Sequence, residues 1–526
     1  MRFIVPISEF DFYSNLDEDT HENFPVLDAS TSVNYLKAHY FESLAKIGEI
    51  IKVSPSQDSE LLKQLCTQDD VIFATFHENP PDDLACRLLQ HTKGALMTTG
   101  GFLNRWTFRE ATLNIVTSQK QSKQLYNGLG EVAPTLGVLV PKLNTDIFCL
   151  PTDIERESAK KWFKVKKECF HIVYAGRFIA NKGIAQLIRA LNISGEQNIR
   201  VTLVGDFEPD FFIYQSNANH TTFSQFFDRE ILESNKFCDL ICLKSMDHHT
   251  LRSLFWSADC FVYPSFHEDE NFGITPREAI LCGLPTVVSD FCGLGQLASI
   301  KGGVVKTYPT LGGVRYSLKQ LSEEIIKIKS WTKKQQIENK HFNAEWITNE
   351  CNPDKSIELL KAEAFKFLRI LPEEAPIGNW RSKERFDKWM EQAPNSFQEA
   401  VKLNSKLYPE GLYVDGTGDI GVGWFSEPHF FTAIQGLYTT YSSPQEIVKG
   451  NGYRGFWRIK LWEEEKAIVE FGFPGPRIKR YNETNWMYLR KSVNTMDDPI
   501  FYPNNQKNIE LVQELVQLGY LVPDDL

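Results

Sequence analysis

Residues 260–290 read CFVYPSFHEDENFGITPREAILCGLPTVVSD. Cys260–Tyr263 is a short apolar run of the kind buried on both faces in a parallel sheet. Thr275 is a natural N-cap, Pro276 suits the first helical position, and Gly283 with Pro285 stops a helix. Thr286–Ser289 is a second, β-branched strand. The loop HEDENFG therefore lies at the carboxyl end of a strand and opens a helix. Open α/β sheets bind ligands there, and free N–H groups at a helix start attract phosphate. Two carboxylates frame the turn: Glu270 before the helix and Glu278 in its first turn. Thr275-Pro276-Arg277-Glu278 also spells a capping box, in which Glu278 only bonds back to the Thr275 N–H. On this stretch alone both readings stand.

A second stretch, HIVYAGRFIANKGIAQLIRALN at residues 171–192, has a similar build. A buried strand runs into Gly176, then come Arg177 and Lys182, then an amphipathic helix. Two cations beside a glycine turn at a strand end can clamp a pyrophosphate, Arg as a planar fork and Lys as a point charge. Solvated loop cations are the plainer alternative. VTLVGD repeats the strand-then-glycine pattern at Gly205.

Further candidate strands are Phe3–Pro6, Val71–Phe76, Leu113–Thr117 and Val138–Val140, beside Ile172–Ala175, Val201–Val204 and Phe261–Tyr263. Helical periods separate them. Val33, Leu36, Tyr40, Leu44, Ile47 and Ile51 form one, with Thr31 and Ser32 as possible caps. Such alternation over about 350 residues predicts doubly wound α/β domains. At 526 residues the chain has room for about three domains. A net charge of -11 argues against a nucleic-acid binder, which needs a cationic surface to release counterions. No window holds 18 consecutive apolar residues and the start lacks the order of a signal peptide, so the expected location is cytoplasmic. Ten cysteines are too sparse for a disulfide scaffold. Cys238 and Cys242 with His248 and His249 allow a zinc site, but buried thiols fit C-x3-C on an apolar strand better.

A break falls at PTDIERESAKKWFKVKKE, residues 151–168, read as a linker helix. Its five lysines between Lys160 and Lys167, with Trp162 and Phe163 as anchors, allow at most peripheral contact with an anionic membrane. A solvated connector is the plainer reading. Beyond about residue 370 the texture is aromatic, and GYRGFWRIKLWEEEKAIVEFGFPGPRIKRY, residues 452–481, reads as a hairpin or meander. Trp424, Phe425, Phe430 and Phe431 suit either a sugar-stacking platform or a small core.

The order AGRF, NKG, LI-x-AL, LVGD, then SADCFVYPS with the glutamate pair, FGITPREA, CGLP and TVVSD resembles the donor-binding half of GT-B glycosyltransferases, above all the large retaining family four. LNIVTSQKQSKQLYNGLG and LVPKLNTDIFCLP, within residues 113–151, resemble that family's passage out of its N-terminal domain. The resemblance is dense from about 110 to 330. It implies an α/β chain of two Rossmann-like doubly wound domains facing a cleft, with a C-terminal α+β appendage. The expected boundaries are 1–155 on the acceptor side, 156–345 for the donor, 346–370 for a helical crossover and 371–526 for the appendage.

The resemblance also assigns roles. Arg177 and Lys182 would hold the donor diphosphate, and Glu270 the sugar hydroxyls; these three are the expected catalytic residues. Glu278 would bind the ribose. Gly176 and the backbone around Phe272, Gly273, Ile274 and Thr275 would meet sugar or phosphate, and Gly205 would leave room for the nucleotide. The implied activity is retaining, metal-independent transfer of a hexose-type sugar from a nucleotide-diphosphate donor, UDP-sugar favoured, with no other cofactor. The acceptor is open among saccharide, lipid, peptide and small molecule. The alternative is a non-catalytic GT-B-like subunit that scaffolds a glycosylation complex. Family members usually carry a glycine-rich loop after the first strand, whereas the first glycine here is Gly48. Gly100 and Gly101 are the substitutes, and His77 stands in for a histidine that often touches the donor sugar. Glu270→Ala and Lys182→Ala are expected to remove transfer while leaving the melting temperature nearly unchanged.

Overall fold

The computed structural model describes residues 2–6, 32–53, 71–74, 94–98, 112–120, 135–207, 227–232, 238–266, 270–310, 313–370, 452–471, 476–493 and 498–524, with a few single positions between them. The chain divides into two compact units. One is built on Met1–Leu143 and Asn349–Ala393, the other on Asn144–Thr348 and Leu437–Leu526.

The first unit is a six-stranded sheet of β1 (Arg2–Pro6), β2 (Glu49–Val53), β3 (Val71–Ala74), β4 (Gly94–Thr98), β5 (Thr112–Val116) and β6 (Thr135–Val138). Its order is β2-β1-β3-β4-β5-β6, and its paired strands run parallel. The helix Ser32–Ile47 lays Tyr40, Phe41 and Leu44 on Phe3, Leu113 and Ile115. The helix Pro353–Ile370 closes the same core with Leu360, Ala364 and Phe367. Ile51, read as the last apolar turn of the first helix, belongs instead to β2, paired with Ile4. The helix ends at Ile47, before Gly48, and the β-branched pair Ile50-Ile51 continues as a strand beside β1.

The second unit holds β7 (Phe170–Ala175), β8 (Ile199–Val204), β9 (Cys238–Leu243), β10 (Cys260–Tyr263), β11 (Thr286–Ser289) and β12 (Gly303–Val305) in the order β12-β11-β10-β7-β8-β9. The order reverses between β7 and β10, so a crevice opens at their carboxyl ends, the switch point of a doubly wound sheet. β10 and β11 are buried along their whole length, the polar ends Thr286 and Ser289 of β11 included. The fold is thus α/β with two doubly wound sheets, as the GT-B resemblance implies, plus an α+β C-terminal part.

That part is a meander of Arg458–Trp462, Ala467–Phe471 and Pro476–Arg480, a second small sheet of Tyr453–Gly455, Ile500–Phe501 and Leu521–Pro523, and two helices, Glu483–Lys491 and Gln506–Gln517. Trp457 and Trp486 are buried. No helix among the described residues is long and apolar enough to cross a membrane.

Candidate active site

β7 ends at Ala175, and the chain turns outward at Gly176 while staying tied to β8: the Gly176 N–H donates to the Val204 carbonyl at 2.9 Å. A single 3-10 turn, Ala180–Lys182, follows, closed by Gly183 at φ +79°. A side chain at Gly183 would put Cβ 2.3 Å from the Pro264 carbonyl oxygen. Glycine there lets the turn press on the segment after β10 and carries Lys182 inward, leaving it 5% exposed.

Lys182 Nζ donates to Glu270 Oε2, and Ser265 Oγ donates to the same oxygen at 2.8 Å. Glu270 is itself 6% exposed. A buried ammonium or carboxylate alone would be costly, and each here meets the other's charge. The surrounding segment is held at several points. The Phe266 N–H donates to Asn181 O at 2.8 Å, Tyr316 Oη donates to Pro264 O at 2.7 Å, and Ser289 Oγ donates to Ser265 O. Lys182 Nζ lies 5.6 Å from the centre of the Tyr263 ring, which stacks on Tyr174 at 5.5 Å. Burial, above all, raises both phenols; the Glu270 charge raises them further and Arg177 opposes it. Arg177 is exposed at the same strand end, its carbonyl accepting from Tyr174 Oη at 2.9 Å. The expected cations and Glu270 are therefore gathered at the carboxyl ends of β7 and β10.

The helix after the loop spans Ile274–Leu281. Thr275 is not its N-cap. Gly273 takes that place at φ +75°, with no side-chain cap, because a left-handed turn there starts the helix two residues early. The Ile274 and Thr275 N–H groups thus belong to the first turn, whose N–H groups lack helical partners. No bond runs back from Glu278 to Thr275, so the capping box is not formed. Glu278 is buried instead, and burial pushes its carboxyl up to about 8.

Gly205 has a backbone reason for being glycine. A Cβ there would lie 1.9 Å from the Gly176 carbonyl oxygen, so the absent side chain lets the β7 and β8 ends approach. Arg277 carries no role that the sequence alone assigns. Its guanidinium is fully buried, donates to Gly273 O and Gly293 O, each at 3.2 Å, and stacks on the Phe272 ring at 3.8 Å. The residue at i+4 from Gly273 thus braces the helix start against the loop after β11. An arginine on an otherwise apolar helical face was the available signal.

Residues 155–308 match the family described as glycosyl transferases group 1. The match spans the β7 turn, the glutamate loop and β11, and ends before Tyr316 and the C-terminal part. Over 143 residues the chain is 29% identical to an uncharacterized glycosyltransferase of Methanocaldococcus jannaschii, 26% of this chain and 32% of that protein. Over 190 residues it is 25% identical to a D-inositol 3-phosphate glycosyltransferase of Paenarthrobacter aurescens, 35% of this chain and 42% of that one. The chain thus spans well under half the length of these curated relatives. Among solved structures, a sucrose-phosphate synthase from Thermosynechococcus elongatus aligns at 16% identity and TM-score 0.47, covering 70% of this chain and 99% of its own. Anabaena HepE in complex with UDP and glucose aligns at 15% and 0.46, with the same coverage.

The other sequence candidates divide. His77, Gly100, Gly101, His267, Glu268, Trp424, Phe425, Phe430 and Phe431 lie outside the described residues. Cys238 bonds Asn235 through Sγ, and burial pushes its thiol up to about 11. No group of three or more metal-ligating side chains is found among the described residues. In the linker helix Asp153–Trp162, Lys160 and Arg156 both reach Asp259, so they anchor the helix beside β10. Trp162 stands 77% exposed, while Phe163 is half-buried.

Proposed function

We propose that the chain is a retaining, nucleotide-sugar-dependent glycosyltransferase. The observation that carries this reading is the buried Lys182–Glu270 pair at the switch point of a doubly wound sheet, with Arg177 on the same strand end. A donor offers each partner a new bond: its diphosphate oxygens to Lys182 and Arg177, its sugar hydroxyls to Glu270. The N–H groups of Ile274 and Thr275 face phosphate or sugar. Glu278, mostly protonated near neutrality, can both donate to and accept from a ribose diol. UDP is the favoured nucleotide and a hexose the favoured sugar.

In the reaction the bond between the anomeric carbon and the phosphate oxygen breaks, its electrons going to the departing diphosphate. The acceptor oxygen bonds to the anomeric carbon on the same face, and its proton passes to the leaving oxygen. Lys182 and Arg177 lie where negative charge grows, a stabilisation worth about 10²–10³ in rate per contact.

The test is to incubate the full chain with UDP-glucose, UDP-N-acetylglucosamine and GDP-mannose, and to measure nucleotide binding and nucleoside diphosphate release. Release that is lost in Lys182→Ala supports the reading. Binding without release favours the scaffolding alternative. Absence of any binding at millimolar donor overturns the reading and its mechanism.

A further inference from the structure

The C-terminal part lies outside the family match, and it packs on the two segments that carry the ion pair. Phe456 is fully buried. Its ring centre lies 5.2 Å from that of Phe266 and 5.1 Å from that of Tyr316, both edge-on, and the Arg315 guanidinium sits over it at 4.7 Å. Trp457 adds a second edge-on contact to Phe266 at 6.1 Å. Phe266 lies four residues before Glu270, and Tyr316 bonds the Pro264 carbonyl. The same short stretch also holds the other partner's element. Gln186 and Arg189 sit on the helix Ile184–Ser194, which begins two residues after Lys182. Gln186 Nε2 donates to Phe456 O at 3.4 Å, and Arg189 Nη2 donates to Gly455 O at 3.1 Å and to Asp498 at 3.0 Å. Arg315 Nε donates to Gly519 O at 2.9 Å.

We propose that Phe456 is a positioning residue for the donor site: it wedges Pro264–Phe266 against the Lys182 turn and, through the Ser265 bond to Glu270, sets the distance between ammonium and carboxylate. The C-terminal part then serves donor-sugar recognition rather than acceptor recognition. This inference rests on the function proposed above only for what the positioned pair binds. The wedge itself is a property of the protein. Edge-on aromatic contacts hold orientation as well as area, so a smaller side chain loosens the segment without touching Glu270.

Phe456→Ala and the milder Phe456→Leu are compared with the wild type in the full chain. The first readout is amide hydrogen exchange. The Phe266 N–H, bonded to Asn181 O, should exchange about tenfold faster in Phe456→Ala and by an intermediate factor in Phe456→Leu, while amides of β7 and β8 keep wild-type protection. The second readout is the ratio of affinities for UDP and for the UDP-sugar the wild type holds best. Sugar affinity should fall about tenfold while bare UDP, which meets Lys182 and Arg177 on the β7 turn but not Glu270, keeps its affinity. Unchanged exchange at Phe266, or an equal rise over the whole sheet, overturns the proposal, and so does an equal loss of UDP and UDP-sugar. If Phe456→Ala does not fold, Phe456→Leu decides by the same criteria. The exchange experiment needs no donor. A wild type that binds no nucleotide sugar therefore refutes the function and its sugar-recognition consequence, while exchange still decides the wedge.

Discussion

Lys182 and Glu270 stand 88 residues apart in the chain and share a buried ion pair, both side chains more than nine-tenths out of water. Their burial changes what their substitution means. Removing one partner strands the other's charge in the interior, so Lys182→Ala and Glu270→Ala should each lose about 3–5 kcal/mol of stability together with donor turnover. The expectation of a nearly unchanged melting temperature is corrected on this ground. The double variant Lys182→Met/Glu270→Gln leaves no buried charge and should regain most of the stability but none of the turnover. Denaturant unfolding alongside nucleotide release checks this. Single variants as stable as the wild type would contradict it.

Glu278 links stability to pH. Its carboxyl ordinarily titrates at 4.5, and burial pushes it up to about 8. The folded protein therefore holds a proton there that the unfolded chain releases. That contribution is fully present below pH 4.5 and is lost as the pH rises through about 8. Glu278→Gln has no such proton, so its melting temperature should fall less than the wild type's from pH 5 to pH 9. Parallel melts at both ends of that range decide it.

Arg277 serves two carbonyls with one planar fork, and a lysine has no second arm at that spacing. Arg277→Lys should leave a buried carbonyl unpaired, costing about 1–3 kcal/mol, and should weaken nucleotide binding through the Gly273 helix start. Urea unfolding and calorimetric titration with UDP measure the two effects.

Gly205→Ala places a methyl where the Gly176 carbonyl already lies. The β7 and β8 ends must part, so both melting temperature and donor affinity should drop sharply. Gly195→Ala is the control. It sits at φ +64° with open space around it, so it should cost only about 1 kcal/mol of backbone strain and leave donor binding intact. Equal behaviour of the two variants would refute the close-approach argument.

Much of the second sheet was legible because its signals are local. Cys260–Tyr263, stopped by Pro264, and the β-branched Thr286–Ser289, preceded by Gly283 and Pro285, are the strands β10 and β11. The strand Glu49–Val53 was not legible, since two isoleucines after a helix fit a further helical turn as well as an edge strand, and only pairing with β1 decides. Gly273 displaced Thr275 as the helix start because backbone conformation at one glycine outweighed the preference of a hydroxyl for the cap. The roles of Lys182 and Glu270 were expected from resemblance, but not their pairing in the interior, which depends on Gly183 and Pro264 meeting. The purpose of Gly205 was hidden for the same reason: the atom that excludes a side chain belongs to another strand.

The Arg315 guanidinium, buried beneath Phe456, finds the Gly519 carbonyl 204 positions downstream. A ribosome adding roughly 5–20 residues per second needs about 10–40 s to cover that interval. Through it the emerging β7–β12 sheet lacks the Phe456 cover on Phe266 and Tyr316 and the Arg315 bond to Gly519. Packing around the Lys182–Glu270 pair therefore waits on residues made long after it, and a chain cut shortly before position 519 would lack this bond although every residue of the family match had already been made.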